Sequence, residues 1–277
     1  MKLAAQKLDK LLYLVKFLKL CKVLSLPIGH VYARPVELRL EIYSSGRMSV
    51  CISQLTEVLS YCPRLRVFHF NLEIKSEDPK VPISPVQLRE LEVLHLRGIF
   101  PPYVEKLLAH ISPGPKPLDL YLPIDDDILQ PPDVFLQASI RDFFARSRVT
   151  RLFLEKYEWS RRDGRFYVPF SRMLSELPAS LCALGLARMG IMFEFGDAYP
   201  SYPAQLSALT IYSCDFETYA LKMLAMLYPI RELKSVGLVL ESYYGIEDET
   251  RRSMALLIPV VDMSRHPPQG WESSMTI

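Results

Sequence analysis

Hydrophobic residues recur along the chain in a short unit: an apolar residue, any two residues, an apolar residue, any one residue and a third apolar residue. The unit begins at Leu65, Leu91, Val149, Leu181 and Leu206. Three further segments keep only its final alternating pair, and these are Leu38-x-Leu40, Leu120-x-Leu122 and Leu238-x-Leu240. Strict alternation over a few residues is typical of a β-strand with one buried face. The pattern therefore predicts eight strands built from one repeated unit.

The segments between these strands have apolar residues at helical spacing. The predicted strands follow one another at intervals averaging about 29 residues, at the long end of the range for leucine-rich repeats. The intervening helices are predicted over 48–61, 103–111, 134–145 and 216–227, the last with Asp215 as its N-cap. One strand and one helix cannot bury their apolar faces alone, whereas stacked units bury them jointly. We therefore predict an α/β leucine-rich-repeat solenoid, or horseshoe, with parallel strands on the concave face and helices on the convex face.

A doubly wound α/β sheet would also alternate strands with helices. That fold usually carries a glycine-rich turn for a nucleotide, but the chain has only 11 glycines and neither G-x-G-x-x-G nor G-x-x-x-x-G-K-[ST]. The chain also lacks the G-x-S-x-G motif of hydrolases. We therefore predict no catalytic residues and no cofactor, and the alternative is an α/β hydrolase or transferase with an unrecognised active site.

The domain organisation follows from the limits of the repeated unit. Residues 11–26 are apolar but carry Lys16, Lys19 and Lys22, which is too much charge for a membrane span or a signal peptide. Residues 1–34 are therefore predicted to form an amphipathic helical cap. Divergent leucine-rich repeats are predicted over 35–245, and residues 246–277 are predicted to form a C-terminal cap and tail.

Charge and cysteine content exclude several classes of protein. The 33 basic and 31 acidic residues give a formal net charge of +2, so the chain lacks the positive field of a nucleic-acid or anionic-membrane binder. The five cysteines are odd in number and none is spaced as C-x-x-C, which argues against a zinc site and a disulfide framework. We expect reduced thiols in a cytoplasmic or nuclear protein.

A candidate binding surface follows from the alternation of side chains across a strand. If the leucines point into the core, one residue of each strand lies in a central column on the concave face. That column is Arg39, His69, His95, Tyr121, Phe153, Gly185, Thr210 and Val239. Because aromatic and arginine side chains are enriched where partners bind, we predict that a protein partner contacts Arg39, His69, His95, Arg97, Tyr121, Arg151 and Phe153. His69 and His95 have no third ligand in this column, so no metal site is predicted.

The chain resembles the leucine-rich-repeat regions of fungal F-box-like proteins, which form large paralogous sets in basidiomycetes. The resemblance covers most of the chain from about residue 35 onward, and it depends on 143–152, 206–214 and 258–262. It implies a ubiquitin-ligase adaptor, in which the repeats hold a substrate and an F-box recruits a Skp1-like subunit. The chain departs from this plan because no F-box follows Leu26-Pro27. The resemblance therefore implies a non-enzymatic scaffold for protein–protein interaction.

Overall fold

The computed structural model describes residues 17–21, 35–41, 49–75, 84–124, 138–156, 167–192, 206–217, 226, 230–236, 239–241 and 258–264. These residues belong to two compact units. Unit 1 comprises the described residues up to Pro123 together with 138–149, and unit 2 comprises Ile124 and the described residues from Thr150 onward. The protein is α/β, and its main strands are parallel.

Unit 1 has five main strands that pair in chain order. They are β1 (Phe17–Cys21), β2 (Glu37–Glu41), β4 (Val67–Asn71), β7 (Val93–Leu96) and β9 (Pro117–Ile124). Each strand pairs in parallel with the next, so the chain crosses over in the same direction after every strand. The connections between the main strands contain two further pairs of short parallel strands. These are β3 (Ser49–Cys51) with β5 (Glu73–Lys75), and β6 (Val86–Leu88) with β8 (Ile111–Pro113).

Unit 1 contains three of the predicted helices, but strands β3 and β8 occupy residues 49–51 and 111 of the ranges predicted as helical. The helices are α1 (Ile52–Ser60), α2 (Pro101–Ala109) and α3 (Ala138–Arg146). At the start of α1 the Gln54 side chain accepts a hydrogen bond from the backbone N–H of Cys51. Pro101 and Pro102 begin α2, where the missing N–H groups of proline cost no intrahelical hydrogen bond. Helices α2 and α3 pack against each other.

Arg146 connects α3 to the carboxyl end of α2. Its guanidinium donates to the backbone oxygen of Leu108 at 2.6 Å and to that of Ile111 at 3.4 Å. The last carbonyl groups of a helix have no intrahelical partner, so a cation that reaches them supplies both a donor and a favourable charge. One helix of the repeat is therefore capped by the next.

Unit 2 repeats the arrangement of unit 1. Its main strands are β10 (Arg148–Lys156), β12 (Ala183–Ala187), β14 (Ala208–Tyr212), β16 (Glu232–Val236) and β18 (Val260–Ser264), paired in parallel and in chain order. A second parallel sheet comprises β11 (Tyr167–Pro169), β13 (Gly190–Met192), β15 (Asp215–Glu217) and β17 (Val239–Glu241). The short helix α4 (Phe170–Ser175) follows β11.

The core of each unit is formed by the alternating apolar residues of the main strands. In unit 1 the buried residues at the two alternating positions are Leu38, Leu40, Phe68, Phe70, Leu94, Leu96, Leu120 and Leu122. In unit 2 they include Leu152, Leu154, Leu184, Leu186, Leu209 and Ile211. Each buried side chain of this size contributes roughly 1.5–3 kcal/mol relative to exposure. Successive strands place the same two positions of the unit side by side, which makes the apolar layer continuous within each unit.

A left-handed backbone residue marks the end of three main strands. Gly98, Arg188 and Ser213 have φ angles of 65°, 61° and 48°. Each lies three residues after the central residue of its strand, so these three repeats share a turn at this position. At Gly98 a side chain would also collide with the Asn71 carboxamide, which explains why glycine occupies that position.

The N-terminal helix prediction is wrong for the residues that the structure describes. Phe17–Cys21 is strand β1 and pairs in parallel with β2, while the rest of 1–34 lies outside the described residues. Leu18 fits a helical stripe with Leu11 and Leu14, but Leu18 and Leu20 also fit the alternation of a strand. Hydrogen bonding to β2 is a tertiary interaction that the local pattern does not reveal.

The final predicted strand is also misplaced. Leu238-x-Leu240 was expected in the main row, but the main strand is β16, with Leu233 buried, and 239–241 belongs to the second sheet. Asp215 is the first residue of β15, so its assignment as an N-cap is wrong as well. The segment 246–277, expected to be a cap and tail, contains main strand β18. In β16 the third apolar position of the unit is Ser235, so the local pattern favours Leu238-x-Leu240 as the main strand, and strand pairing decides otherwise.

No helix among the described residues is long and apolar enough to cross a membrane.

Candidate functional site

The predicted column of unit 1 is present in the strand register. Arg39 pairs with His69, His69 with His95, and His95 with Tyr121. These four residues, the central row, point away from the leucine face because successive side chains alternate across a strand. Strand β1 adds Lys19 in register with Arg39, a position that the sequence reasoning missed because it assigned this segment to a helix.

Three side chains of the central row, all predicted to contact a partner, are buried in the chain. His69, His95 and Tyr121 are 4%, 8% and 9% exposed. His95 lies between the other two rings, with centroid distances of 5.0 Å to His69 and 4.1 Å to Tyr121. Alternation predicts the direction of a side chain but not what covers it, and here neighbouring rings cover one another across adjacent strands.

The two histidines contact each other through ring nitrogens. His69 Nδ1 and His95 Nδ1 are 3.0 Å apart, which is a hydrogen-bond distance. Burial, together with the nearby charges of His69, Arg97 and Arg39, lowers the pKa of His95 to about 3. His95 is therefore neutral at physiological pH. No group of three or more metal-ligating side chains occurs among the described residues.

Two arginines of unit 1 flank the buried rings. Arg39 is half-buried, and its Nε donates to Glu37 Oε1 at 2.6 Å. Arg97 follows β7; its side chain is exposed, and its backbone N–H donates to the oxygen of Phe70. The Arg39 guanidinium is half-buried and already donates to Glu37, whereas Arg97 is exposed. Arg97 is therefore the more accessible cation of the two for a partner.

The candidate residues of unit 2 form a different surface. Arg151 is exposed and Phe153 is half-buried. Phe153 pairs in register with Gly185, and its ring lies where a side chain at Gly185 would project. The central positions that follow are Thr210, Lys234 and Asp262, so Lys234 takes the place predicted for Val239. Val261-x-Met263 keeps the alternating pair that could have identified β18, whereas β16 keeps only Ile230 and Leu233 of the unit and has Ser235 at its third position.

An ion-pair row crosses the starts of three strands in unit 1. Glu92 accepts from Arg66 Nη2 at 2.5 Å and from Lys116 Nζ at 2.8 Å, and Lys116 also contacts Glu90 at 2.8 Å. The hydrogen bonds from Arg66 and Lys116 lower the pKa of Glu92 to about 2. These side chains are partly exposed and satisfy one another, so we assign them to the stability of the sheet rather than to binding.

Four cysteines lie among the residues with described side chains, and all four are free thiols. Cys62 and Cys214 are buried, and burial raises the pKa of each to about 12. A thiol with so high a pKa is a poor nucleophile at neutral pH, because the thiolate is the reactive form. These two cysteines therefore serve the packing of the repeats.

No protein-family model matches the chain, and no curated protein matches it in sequence. A function is therefore inferred from the fold, from the central row of unit 1 and from the strand face of unit 2 that carries Arg151 and Phe153.

Proposed function

We propose that the protein is a leucine-rich-repeat solenoid that acts as a non-enzymatic scaffold for a protein partner. The supporting observation is the parallel pairing of the main strands in chain order within each unit, with one repeat position per strand on a common face. A row of parallel strands presents many side chains on a rigid sheet, which is how repeat proteins bind extended partners.

The partner would bind unit 1 beside the central row, where Arg97 is exposed and Arg39 is half-buried. Arginine forms bidentate hydrogen bonds with carboxylates and also packs on apolar surface, so it contributes strongly to many protein interfaces. The buried rings of His69, His95 and Tyr121 would support this surface rather than provide its contacts. The substrate-holding half of an F-box adaptor, which the sequence resembles, works through the same kind of surface.

Affinity purification with mass spectrometry tests this proposal. The bait is the full chain, either wild type or with Arg97→Glu, and the matched control is Arg141→Glu on the exposed side of α3. We expect Arg97→Glu to reduce recovery of the specific partner on the order of tenfold, the loss of one strong contact. Arg141→Glu should leave recovery unchanged.

The same purifications also test the adaptor role, since a Skp1-like subunit in the wild-type sample would support it. Equal recovery of every associated protein by wild type and Arg97→Glu would contradict binding at this surface. Thermal unfolding of each variant checks that the comparison is made between folded proteins.

A further inference from the structure

The contact between His69 and His95 joins two adjacent strands through a single proton. Two neutral imidazoles can form a hydrogen bond between their Nδ1 atoms only if one ring carries its proton on Nδ1 and the other on Nε2. An imidazolium carries a proton on both nitrogens. When both rings are charged, two N–H groups therefore face each other across the 3.0 Å that separates the Nδ1 atoms.

The surroundings of the pair oppose even the first added charge. Both rings are buried, and His95 Nε2 has no hydrogen-bond partner among the described residues. The positive charges of Arg39 on β2 and Arg97 after β7 both oppose protonation of His95, although Arg39 is paired with Glu37. The Tyr121 ring of β9, whose centroid lies 4.1 Å from that of His95, is uncharged at acidic pH. A proton added to His95 therefore has no carboxylate beside it among the described groups.

We propose that the histidine pair is an acid-sensitive contact, and that proton uptake by the pair separates β4 from β7 and opens this face of unit 1. Once the strands separate, the imidazole titrates between pH 5 and 8 as an exposed histidine does, so acidification in this range shifts the balance toward the opened form. The inference goes beyond the scaffold role, because opening is a property of the chain alone and requires no partner.

The direction of the pH effect follows from proton linkage. A histidine in the unfolded chain takes up its proton near pH 6.5, whereas His95 in the folded chain stays neutral down to about pH 3. The contribution of His95 to the free energy of unfolding is therefore fully present above pH 6.5, and it is lost as the pH drops from 6.5 toward 3. Between about pH 7.5 and about pH 5.0, His95 alone lowers the folding equilibrium constant about 30-fold.

Urea unfolding of the full chain at these two pH values tests the proposal. The variant His69→Asn/His95→Asn replaces the pair with amides that still hydrogen-bond but do not titrate. We expect the wild type to lose about 30-fold more of its folding equilibrium constant than this double variant does. His110→Asn, the matched control, removes a histidine of the same unit outside the pair and should keep the wild-type loss. Equal losses in the wild type and the double variant would overturn the proposal.

Two measurements on the wild type keep the test decisive if the double variant does not fold. Ring-nitrogen NMR at about pH 5.0 should show His95 neutral in the folded protein, and an imidazolium at that position would overturn the proposal. Hydrogen exchange should show that the amides of β4 and β7 lose protection between about pH 7.5 and about pH 5.0. Unchanged protection of these two strands would contradict their separation.

Discussion

Phe153 and Gly185 show how one residue of a repeat determines what its neighbour in the next repeat can be. They pair in register on β10 and β12, and the Phe153 ring occupies the space that a Cβ at Gly185 would need. In a central strand glycine normally weakens the structure because it has no side chain to pack. Here the Phe153 ring fills the space beside Gly185 and supplies that packing, so the two residues depend on each other.

We expect Gly185→Ala to destabilise unit 2 by about 1–3 kcal/mol, because the new methyl group overlaps the Phe153 ring. Replacing glycine with alanine ordinarily stabilises a compatible site by about 0.4–1 kcal/mol, so the sign of the change is informative. The matched comparison is the same substitution in a Phe153→Ala background, where the cost should disappear. Urea unfolding of the four proteins gives the coupling free energy, and a coupling near zero would contradict this role for Gly185.

At the residue scale, the alternating pattern correctly predicted that Arg39, His69, His95 and Tyr121 share one row. It did not predict that three of these four side chains are buried. Burial of a side chain depends on the rings of adjacent strands, which are 26 residues away along the chain at both steps. Exposure is therefore a property of strand pairing that alternation along one strand cannot determine.

At the element scale, side-chain contacts between successive repeats hold equivalent elements in register. Arg146 of α3 caps α2, and the ion-pair row of Arg66, Glu92 and Lys116 connects the starts of β4, β7 and β9. Arg66 lies 26 residues before Glu92 at the matching position, whereas Lys116 lies 24 residues after Glu92 and Arg146 lies 38 residues after Leu108. The sequence showed the repeat itself, but it did not show which polar residues of neighbouring repeats contact one another.

We expect Glu92→Gln to cost up to about 1 kcal/mol at low salt, the usual limit for a partly exposed ion pair. Most of this cost should disappear in about 1 M salt, where the Debye length is about 3 Å. The pKa of Glu92 is lowered to about 2, so its contribution is present above pH 4.5 and is lost as the pH falls toward 2. The wild type and the variant should then become equally stable near pH 2.

The control for this measurement is Glu57→Gln on α1, an exposed carboxylate with no ion pair among the described residues. It should change the free energy of unfolding by less than about 0.5 kcal/mol at any salt concentration. A Glu92→Gln cost that does not vary with salt would show that the carboxylate acts through packing or a neutral hydrogen bond instead.

At the scale of the whole molecule, stability comes from the apolar layer of each unit rather than from any one strand. Leu96 in unit 1 follows the central residue of its strand, Leu152 and Leu209 in unit 2 precede the central residues of theirs, and all three are buried. A single strand-and-helix unit cannot form such a layer. Removing one large side chain should therefore affect the unit that contains it, through the cavity it leaves.

We expect Leu96→Ala, Leu152→Ala and Leu209→Ala each to lower the free energy of unfolding by about 2–5 kcal/mol. Met226→Ala is the control, because this side chain is 68% exposed and its loss should cost less than about 0.5 kcal/mol. Chemical denaturation of the four variants provides the comparison. Costs at the three leucines no larger than that at Met226 would contradict the stacked arrangement.

The sequence by itself determined the repeated strand, three of the helices and the register of the central positions from Arg39 to Tyr121 and from Phe153 to Thr210. It could do so because alternation and helical spacing are local consequences of backbone geometry. The tertiary structure alone decided that Phe17–Cys21 is a strand, that β16 and β18 continue the main row, and that the histidine pair is buried. Each of these depends on which strand lies alongside, because hydrogen-bond partners and burial come from residues distant in the chain.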